Sequence, residues 1–280
     1  MKILILISFL SLISCQSSQT KTDLPQTDST VPILETQAKA PVEGDTVEPL
    51  KLGIILGPGG ARALAHIGVL KQFHDKKVSV KGIVGIEWGA LIAASFAQKG
   101  SAHEVEWQLS KIRDYRPQEN GDIRNGLKPL QVYLQSIKAE TTVVPFACPS
   151  LNLKKSQVFM MARGRFDLLL PFCMAYPPMT ESHDLSLAAV REVSLAADYL
   201  RSRGANHVLF VNVLPGLSIK EPVPWLELAY DLKKKWPGID ERLDILIDRK
   251  SIRDFKLQTD LIQLGFEQSS KAAEKLLQKM

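Results

Sequence analysis

Gly85-Ile-Glu-Trp-Gly-Ala90 stands between two apolar runs, Val78-Ser-Val-Lys-Gly-Ile-Val-Gly85 before it and Leu91-Ile-Ala-Ala-Ser-Phe-Ala97 after it. The first reads as a strand and the second as a buried helix. The six residues therefore form the sharp strand-to-helix turn on which hydrolases hold up a nucleophile. Such a turn ordinarily carries Gly-x-Ser-x-Gly. Here Glu87 holds the central position, with Gly85 and Gly89 on either side.

Working outward, short β-rich runs alternate with helical ones from Lys51 onward. Leu52 to Leu56, Val78 to Val84, Thr142 to Cys148, His207 to Val213 and Asp244 to Asp248 read as strands. Several are apolar at consecutive positions, as expected where both faces of a sheet are covered. Helical patterns run over Ala63 to Asp75, Trp88 to Lys99, Leu127 to Ile137, Asp184 to Arg203 and Leu257 to Lys279, with Gly100 and Gly204 placed as caps. Gly121 to Gly126 and Leu214 to Trp236 read as loops. The alternation predicts an α/β fold, a mostly parallel central sheet with helices on both faces.

Directly after the first strand comes Leu56-Gly-Pro-Gly-Gly-Ala-Arg-Ala-Leu-Ala-His-Ile-Gly-Val-Leu70. A glycine-rich turn entering a helix aims backbone N–H groups at negative charge. The spacing of Gly57, Gly59 and Gly60 does not fit a dinucleotide fingerprint, and no acidic residue ends a second strand at the right distance, so no nucleotide cofactor is expected. The five histidines lack ligand spacing, and no metal is expected either.

Taken together, Gly-Pro-Gly-Gly-Ala-Arg62, Ala-His66-Ile-Gly-Val-Leu70 and Gly85-x-x-x-Gly89-Ala resemble a bacterial patatin-like phospholipase. Pro145-Phe146, Met174-Ala-Tyr-Pro-Pro178, Gly204-Ala-Asn-His-Val-Leu-Phe-Val-Asn-Val213 and Leu261-Ile-Gln-Leu-Gly265 extend the likeness over about Lys51 to Met280. The resemblance implies a three-layer fold and hydrolysis of lipid acyl esters by a Ser–Asp dyad, with a glycine loop stabilising the oxyanion. Residue by residue, the oxyanion-loop remnant is Gly59, Gly60, Ala61 and Arg62. Pro58 and Ala63 stand where the family has glycines, which predicts a weakened loop because proline donates no N–H.

Neither member of the dyad is in place. Glu87 occupies the nucleophile position, and Leu187-Ala-Ala189 falls where Asp-Gly-Gly or Asp-Gly-Ala belongs, with Ser186 and Asp184 nearby. A carboxylate attacking an ester would be expelled more readily than the alkoxide, so the adduct would collapse back. The charge of Glu87 would also oppose a developing oxyanion. No catalytic residue is therefore assigned. Glu87 at a helix N-terminus is favoured electrostatically, and Arg62 could pair with it. Trp88 reads as a lid or as packing, His66 as a satisfied buried histidine, and Ser95 as an ordinary helix serine.

The N-terminus sets the expected compartment. Lys2 precedes the apolar stretch Ile3 to Ile13, then Leu12-Ile-Ser-Cys15 resembles a bacterial lipobox. Residues 1–14 are expected as a lipoprotein signal peptide, Cys15 as the lipidation site, residues 15–50 as lipidated cysteine and disordered tether, and residues 51–280 as the patatin-like domain. Gln16 after the cysteine points to the outer membrane, periplasmic side, in a Gram-negative cell. Outside the cytoplasm Cys148 and Cys173 could pair, but both lie in apolar surroundings and are read first as two buried unpaired thiols. The formal charge of +5 is scattered, so no nucleic-acid partner is expected.

The expected function is a membrane-anchored, catalytically inactive pseudo-phospholipase that binds a lipid or acyl ligand or a protein partner. The alternative is an active acyl hydrolase using Glu87 as general base, assisted by Arg62.

Overall fold

Leu52, Ile54, Ile55 and Leu56 are all fully buried, which requires cover on both faces of the strand that carries them. The computed structural model describes residues 48–279. The strands are β1 (Leu52–Leu56), β2 (Val80–Gly85), β3 (Phe146–Asn152), β4 (Gln157–Met161), β5 (Ser186–Ala188), β6 (His207–Asn212) and β7 (Glu241–Asp244). They form one sheet in the order β4-β3-β2-β1-β6-β7, with β5 also paired to β3. The five strands from β3 to β7 along this order run parallel. β4 and β5 join β3 antiparallel.

The helices are α1 (Ala65–Asp75), α2 (Trp88–Lys99), α3 (Ala102–Leu109), α4 (Ile123–Leu127), α5 (Gln131–Leu134), α6 (Phe166–Met174), α7 (Val193–Ser202), α8 (Val223–Asp231), α9 (Gln258–Gln268) and α10 (Ser270–Leu277). From Trp88 to Gln98 every residue of α2 is buried, the mark of a helix enclosed on all sides. Two glycines allow α1 and α9 to touch through their backbones. A Cβ at Gly68 would strike the Ile262 carbonyl, and one at Gly265 the Ala65 carbonyl. Among the described residues no helix is long and apolar enough to cross a membrane.

The fold class expected from sequence is the one observed, with local corrections. The third strand lies at Phe146–Asn152 rather than Thr142 to Cys148, and the last at Glu241–Asp244 rather than Asp244 to Asp248. Leu127 to Ile137 is not one helix: a turn containing Pro129 separates α4 from α5. The supposed helix from Asp184 to Arg203 begins only at Val193. Asp184 and Leu185 have φ of 44° and 55°, a left-handed turn that no helix contains, and β5 follows. The alanines there suit a helix locally, but pairing of Leu187 with Leu151 on β3 overrides that preference. Leu214 to Trp236 is not all loop either, since it contains α8.

Cys148 and Cys173 are not free thiols. They form a disulfide between β3 and α6, with their Cα atoms 5.9 Å apart. Both are fully buried, as expected, but packing of α6 on β3 brings them within bonding range. The expected signal segment, Cys15 and nearly all of the tether lie outside the described residues. Of that tether, Glu48, Pro49 and Leu50 are described, and the Pro49 carbonyl accepts from the side chain of Asn206 at 3.0 Å.

Candidate active site

The site lies at the carboxyl ends of β1 and β2. The strand order reverses at β1, with β2 on one side and β6 on the other, and such a switch point is the natural binding edge of a parallel sheet. β2 ends at Gly85, Ile86 donates to the Leu56 carbonyl at 2.9 Å, and α2 begins at Trp88. Between them Glu87 takes φ 57° and ψ −127°. That is a strained backbone for a side-chain-bearing residue, and it is the geometry of a nucleophile elbow. The two flanking glycines are needed for closeness: a Cβ at Gly85 would meet the backbone of Gly89 and Ala90, and one at Gly89 the Leu56 and Gly57 carbonyls.

The glycine loop after β1 faces this turn. Gly57 donates to Val211 O on β6 at 2.9 Å, and Gly60 takes a φ of 55°. The N–H groups of Gly59 and Gly60 both donate to Glu87 Oε2, at 3.0 and 2.9 Å. An oxyanion loop offers two such donors to the charge that develops on a substrate. In this protein they hold the carboxylate of the elbow residue itself. The next amide, Ala61 N–H, donates to Ile252 O at 2.6 Å, so it too is engaged.

This geometry corrects two expectations. Pro58 does not weaken the donor pair, because the pair comes from Gly59 and Gly60. Glu87 is also not merely a charge beside the oxyanion position; Oε2 sits between the donors. Glu87 is fully buried, and its Oε1 has no hydrogen-bond partner. Burial pushes its carboxyl up to about 7, while the backbone N–H groups of Gly59, Trp88 and Gly60 pull it down less strongly.

Arg62 does not pair with Glu87. Its guanidinium donates to three carbonyl oxygens, Val213 at 2.8 Å, Lys250 at 3.0 Å, and Pro215. It thereby ties the segment after β6 to the one after β7. Burial lowers it to about 10, with Glu221 and Asp248 acting in the opposite direction, so it stays a cation at neutral pH. His66 is fully buried, with Nε2 2.9 Å from Gly57 O, and burial lowers it to about 4. It therefore supports the loop as a neutral ring, although its Nδ1 is unpartnered.

Trp88 is packing rather than a movable cover. It is 2% exposed and lies against Phe255 at 4.5 Å and Tyr115 at 5.7 Å between ring centroids. Ser95 is buried within α2. Leu187, at the Asp-motif position, is half-buried on β5 with Ser186 and Ala188 buried on either side. Asp184 sits exposed in the preceding turn, 3.7 Å from His183 Nε2. The structure thus brings Gly59, Gly60, Gly85, Glu87 and Gly89 together, and no carboxylate stands at Leu187.

Sequence reasoning missed the residues that close the site. Ile252 and Phe255 come from a stretch outside every expected element. Tyr176 stacks edge-on to Trp225 of α8, with centroids 5.2 Å apart; burial raises its phenol, Arg191 pulls it down, and the charge of Glu87 adds a smaller upward push. Only the tertiary fold juxtaposes these groups. Tyr176 lies in a stretch that carries the resemblance, whereas for Ile252 and Phe255 apolar character was the signal available.

The family model for patatin-like phospholipase matches residues 54–165, the stretch that holds the glycine loop and elbow and ends before β5. Neuropathy target esterase sws of Drosophila melanogaster is 24% identical over 181 residues, covering 58% of this chain and 13% of that protein. An uncharacterized NTE family protein of Mycobacterium tuberculosis is 22% identical over 144 residues, 48% of this chain and 40% of its own. Patatin-like phospholipase domain-containing protein 6 of Homo sapiens is 35% identical over 71 residues, 24% of this chain and 5% of its own. The chain spans less than half the length of the curated relatives it matches. The solved structure of VipD from Legionella pneumophila covers 81% of this chain and 67% of its own at 9% identity; its TM-score of 0.43 is too low to argue from. Residues 54–165 are thus similar to patatin-like phospholipases, and the relatives share that likeness over part of their length.

Proposed function

We propose that this chain is a membrane-anchored lipoprotein whose patatin-like domain does not hydrolyse acyl esters and instead binds a lipid or acyl ligand or a protein partner. One observation carries the inactive reading: Glu87 Oε2 accepts both the Gly59 and Gly60 N–H groups, so a substrate oxyanion has no free donors there. The carboxylate is a poor nucleophile for esters, and no second carboxylate at Leu187 activates a water or a hydroxyl. In this proposal the anchor is Cys15, and the compartment is the cell envelope, at the outer membrane where the cell has one. The buried disulfide agrees with an oxidising compartment.

Purified protein is expected to turn over phospholipid, lysophospholipid and p-nitrophenyl esters no faster than a heat-killed control. A second reading, an active hydrolase with Glu87 as general base, draws on its carboxyl being raised to about 7, a value suited to proton transfer. Activity that survives purification and disappears in Glu87→Gln would establish that reading instead. Cys15→Ala tests the anchor: the protein should leave the membrane fraction and cease to incorporate labelled palmitate. Native mass spectrometry that reveals a retained lipid would select lipid over protein as the ligand.

A further inference from the structure

Helix α8 is apolar on two opposite sides. At about 100° per residue, Trp225, Leu228 and Leu232 fall within about 60° of one another. All three are fully buried, and Trp225 packs on Tyr176 near the elbow. Val223, Leu226 and Tyr230 fall within about 60° of one another on the opposite side. Val223 is 64% and Tyr230 69% exposed, and Ile219, one turn earlier, is 87% exposed. The inner stripe accounts for the packing of α8 on the domain. Leu226 is half-buried, and among the described residues the exposed faces of Val223 and Tyr230 meet only the Lys234 ammonium, 5.9 Å from the Tyr230 ring centroid.

Its surroundings are basic. Lys220 lies before the helix and Lys233, Lys234 and Lys235 after it, all exposed. Of the nearby acids, Asp231 is ion-paired. Asp231 receives Arg191 Nε and Lys234 Nζ, each at 2.8 Å, and Glu221 Oε1 accepts from the Ile252 N–H at 3.4 Å. Among the described residues, Glu227 is exposed and has neither kind of partner. An apolar stripe bracketed by lysines is the pattern of a segment lying in the interface of an anionic membrane. A protein partner fits less well, because lysine is depleted in the buried centres of protein interfaces.

We propose that the outer face of α8, with Ile219, Val223, Leu226 and Tyr230 flanked by Lys220 and Lys233 to Lys235, docks on an anionic lipid surface. The docked face would set the orientation of the domain at the membrane and place the covered elbow close to the bilayer. The inference concerns the folded domain and adds a second, non-covalent contact to the proposed Cys15 anchor.

The test uses the full chain with vesicles of equimolar phosphatidylcholine and phosphatidylglycerol, or of phosphatidylcholine alone. A polarity-sensitive fluorophore is attached through Tyr230→Cys or, as control, through Gln263→Cys on an exposed part of α9. With phosphatidylglycerol the probe at position 230 should shift to the blue and be quenched by spin-labelled lipid, while the probe at position 263 does neither. Lys233→Gln with Lys235→Gln should lower the ratio of docked to undocked protein by roughly tenfold or more at low salt. A vesicle-bound chain with a silent probe at 230 overturns this inference and leaves the anchor reading intact. A chain that fails to associate with either vesicle overturns both. Equal responses at 230 and 263, or a response at 230 that needs only more protein and no lipid, also overturns it.

Discussion

At the elbow, Glu87 keeps a φ of 57°, Gly85 and Gly89 keep the close approach of β1 and α2, and two loop amides converge on one oxygen 2.9–3.0 Å away. At β5 the contrast is complete. Leu187 pairs with Leu151 in an antiparallel ladder, Ala188 and Ala189 are buried, and the nearest carboxylate in sequence, Asp184, sits in an exposed turn. The first region has the backbone of a nucleophile elbow, with a glutamate at its centre. The second differs in side chains and lacks the glycines of the family motif. Two loop amides here share one side-chain acceptor, Glu87 Oε2, where the other region offers no comparable contact.

The largest expected effect is on turnover. Glu87→Ser vacates the donor pair but supplies a serine without a base, so ester hydrolysis should stay at the level of the uncatalysed control. Adding Leu187→Asp and Ala188→Gly should be required before activity appears. Pro58→Gly should change that activity less than tenfold, because Gly59 and Gly60 already supply the donors; loss of a true donor costs about 10²–10³. Appreciable turnover by Glu87→Ser alone would mean that a base is already in place and would break the comparison.

Stability should separate the regions in the same way. Gly89→Ala drives a Cβ into the carbonyls of Leu56 and Gly57 and should cost about 3 kcal/mol or more in chemical denaturation. Leu187→Ala removes a half-buried side chain and should cost about 1 kcal/mol. If both substitutions cost the same, the elbow is not the more constrained of the two.

A third difference depends on pH. Unfolded Glu87 loses its proton near the ordinary 4.5, whereas the folded carboxyl keeps it until about 7. Stability from this group is therefore intact below about 4.5 and falls as pH rises through that window, by about 3 kcal/mol in total. His66 acts in the opposite direction: the unfolded ring binds a proton near 6.5 and the folded one only near 4, so stability falls as pH drops through that range. The two slopes nearly cancel where they overlap. Glu87→Gln removes one of them. Its stability should equal that of the parent near pH 4 and exceed it by about 3 kcal/mol above pH 7, as measured by urea denaturation across pH. A constant difference would show that Glu87 titrates normally.

The smallest contrast concerns the salt bridge that fastens α8. Arg191→Gln breaks a partly exposed ion pair with Asp231 and should change stability by less than about 1 kcal/mol. Cys148→Ser, also outside the elbow, should cost about 3 kcal/mol through the 25-residue separation that the bridge spans, and reduction of the parent should reproduce it in the same melting experiment.

Residues 51–100 were largely legible because each motif there is local. Gly57 to Arg62 and Gly85 to Gly89 announce their turns through residues that only those turns require, and the apolar run of α2 announces its burial. The region from Leu127 to Ala189 was far less so. Its strands are short and partly exposed, its alanines favour a helix that sheet pairing overrules, and the disulfide joins residues whose proximity depends on α6 lying against β3. The partner of Glu87 lay between these extremes. Position 87 and the loop glycines were both identified from sequence, yet which donors meet which oxygen is set by a backbone angle that composition does not reveal. Arg62 was misjudged for the same reason, since its three carbonyl partners come from segments more than 150 positions away.

The account rests on a carboxyl group occupying the oxyanion loop, and carbon-13 NMR of protein labelled at the glutamate side-chain carboxyl, with amide shifts of Gly59 and Gly60 followed in the same titration, measures that directly. The Glu87 carboxyl signal should titrate near 7, and both glycine amide protons should move with the same midpoint as the charge they hold appears. A Glu87 midpoint near 4.5, with amides at 59 and 60 that ignore it, would place the side chain in solvent and contradict the account.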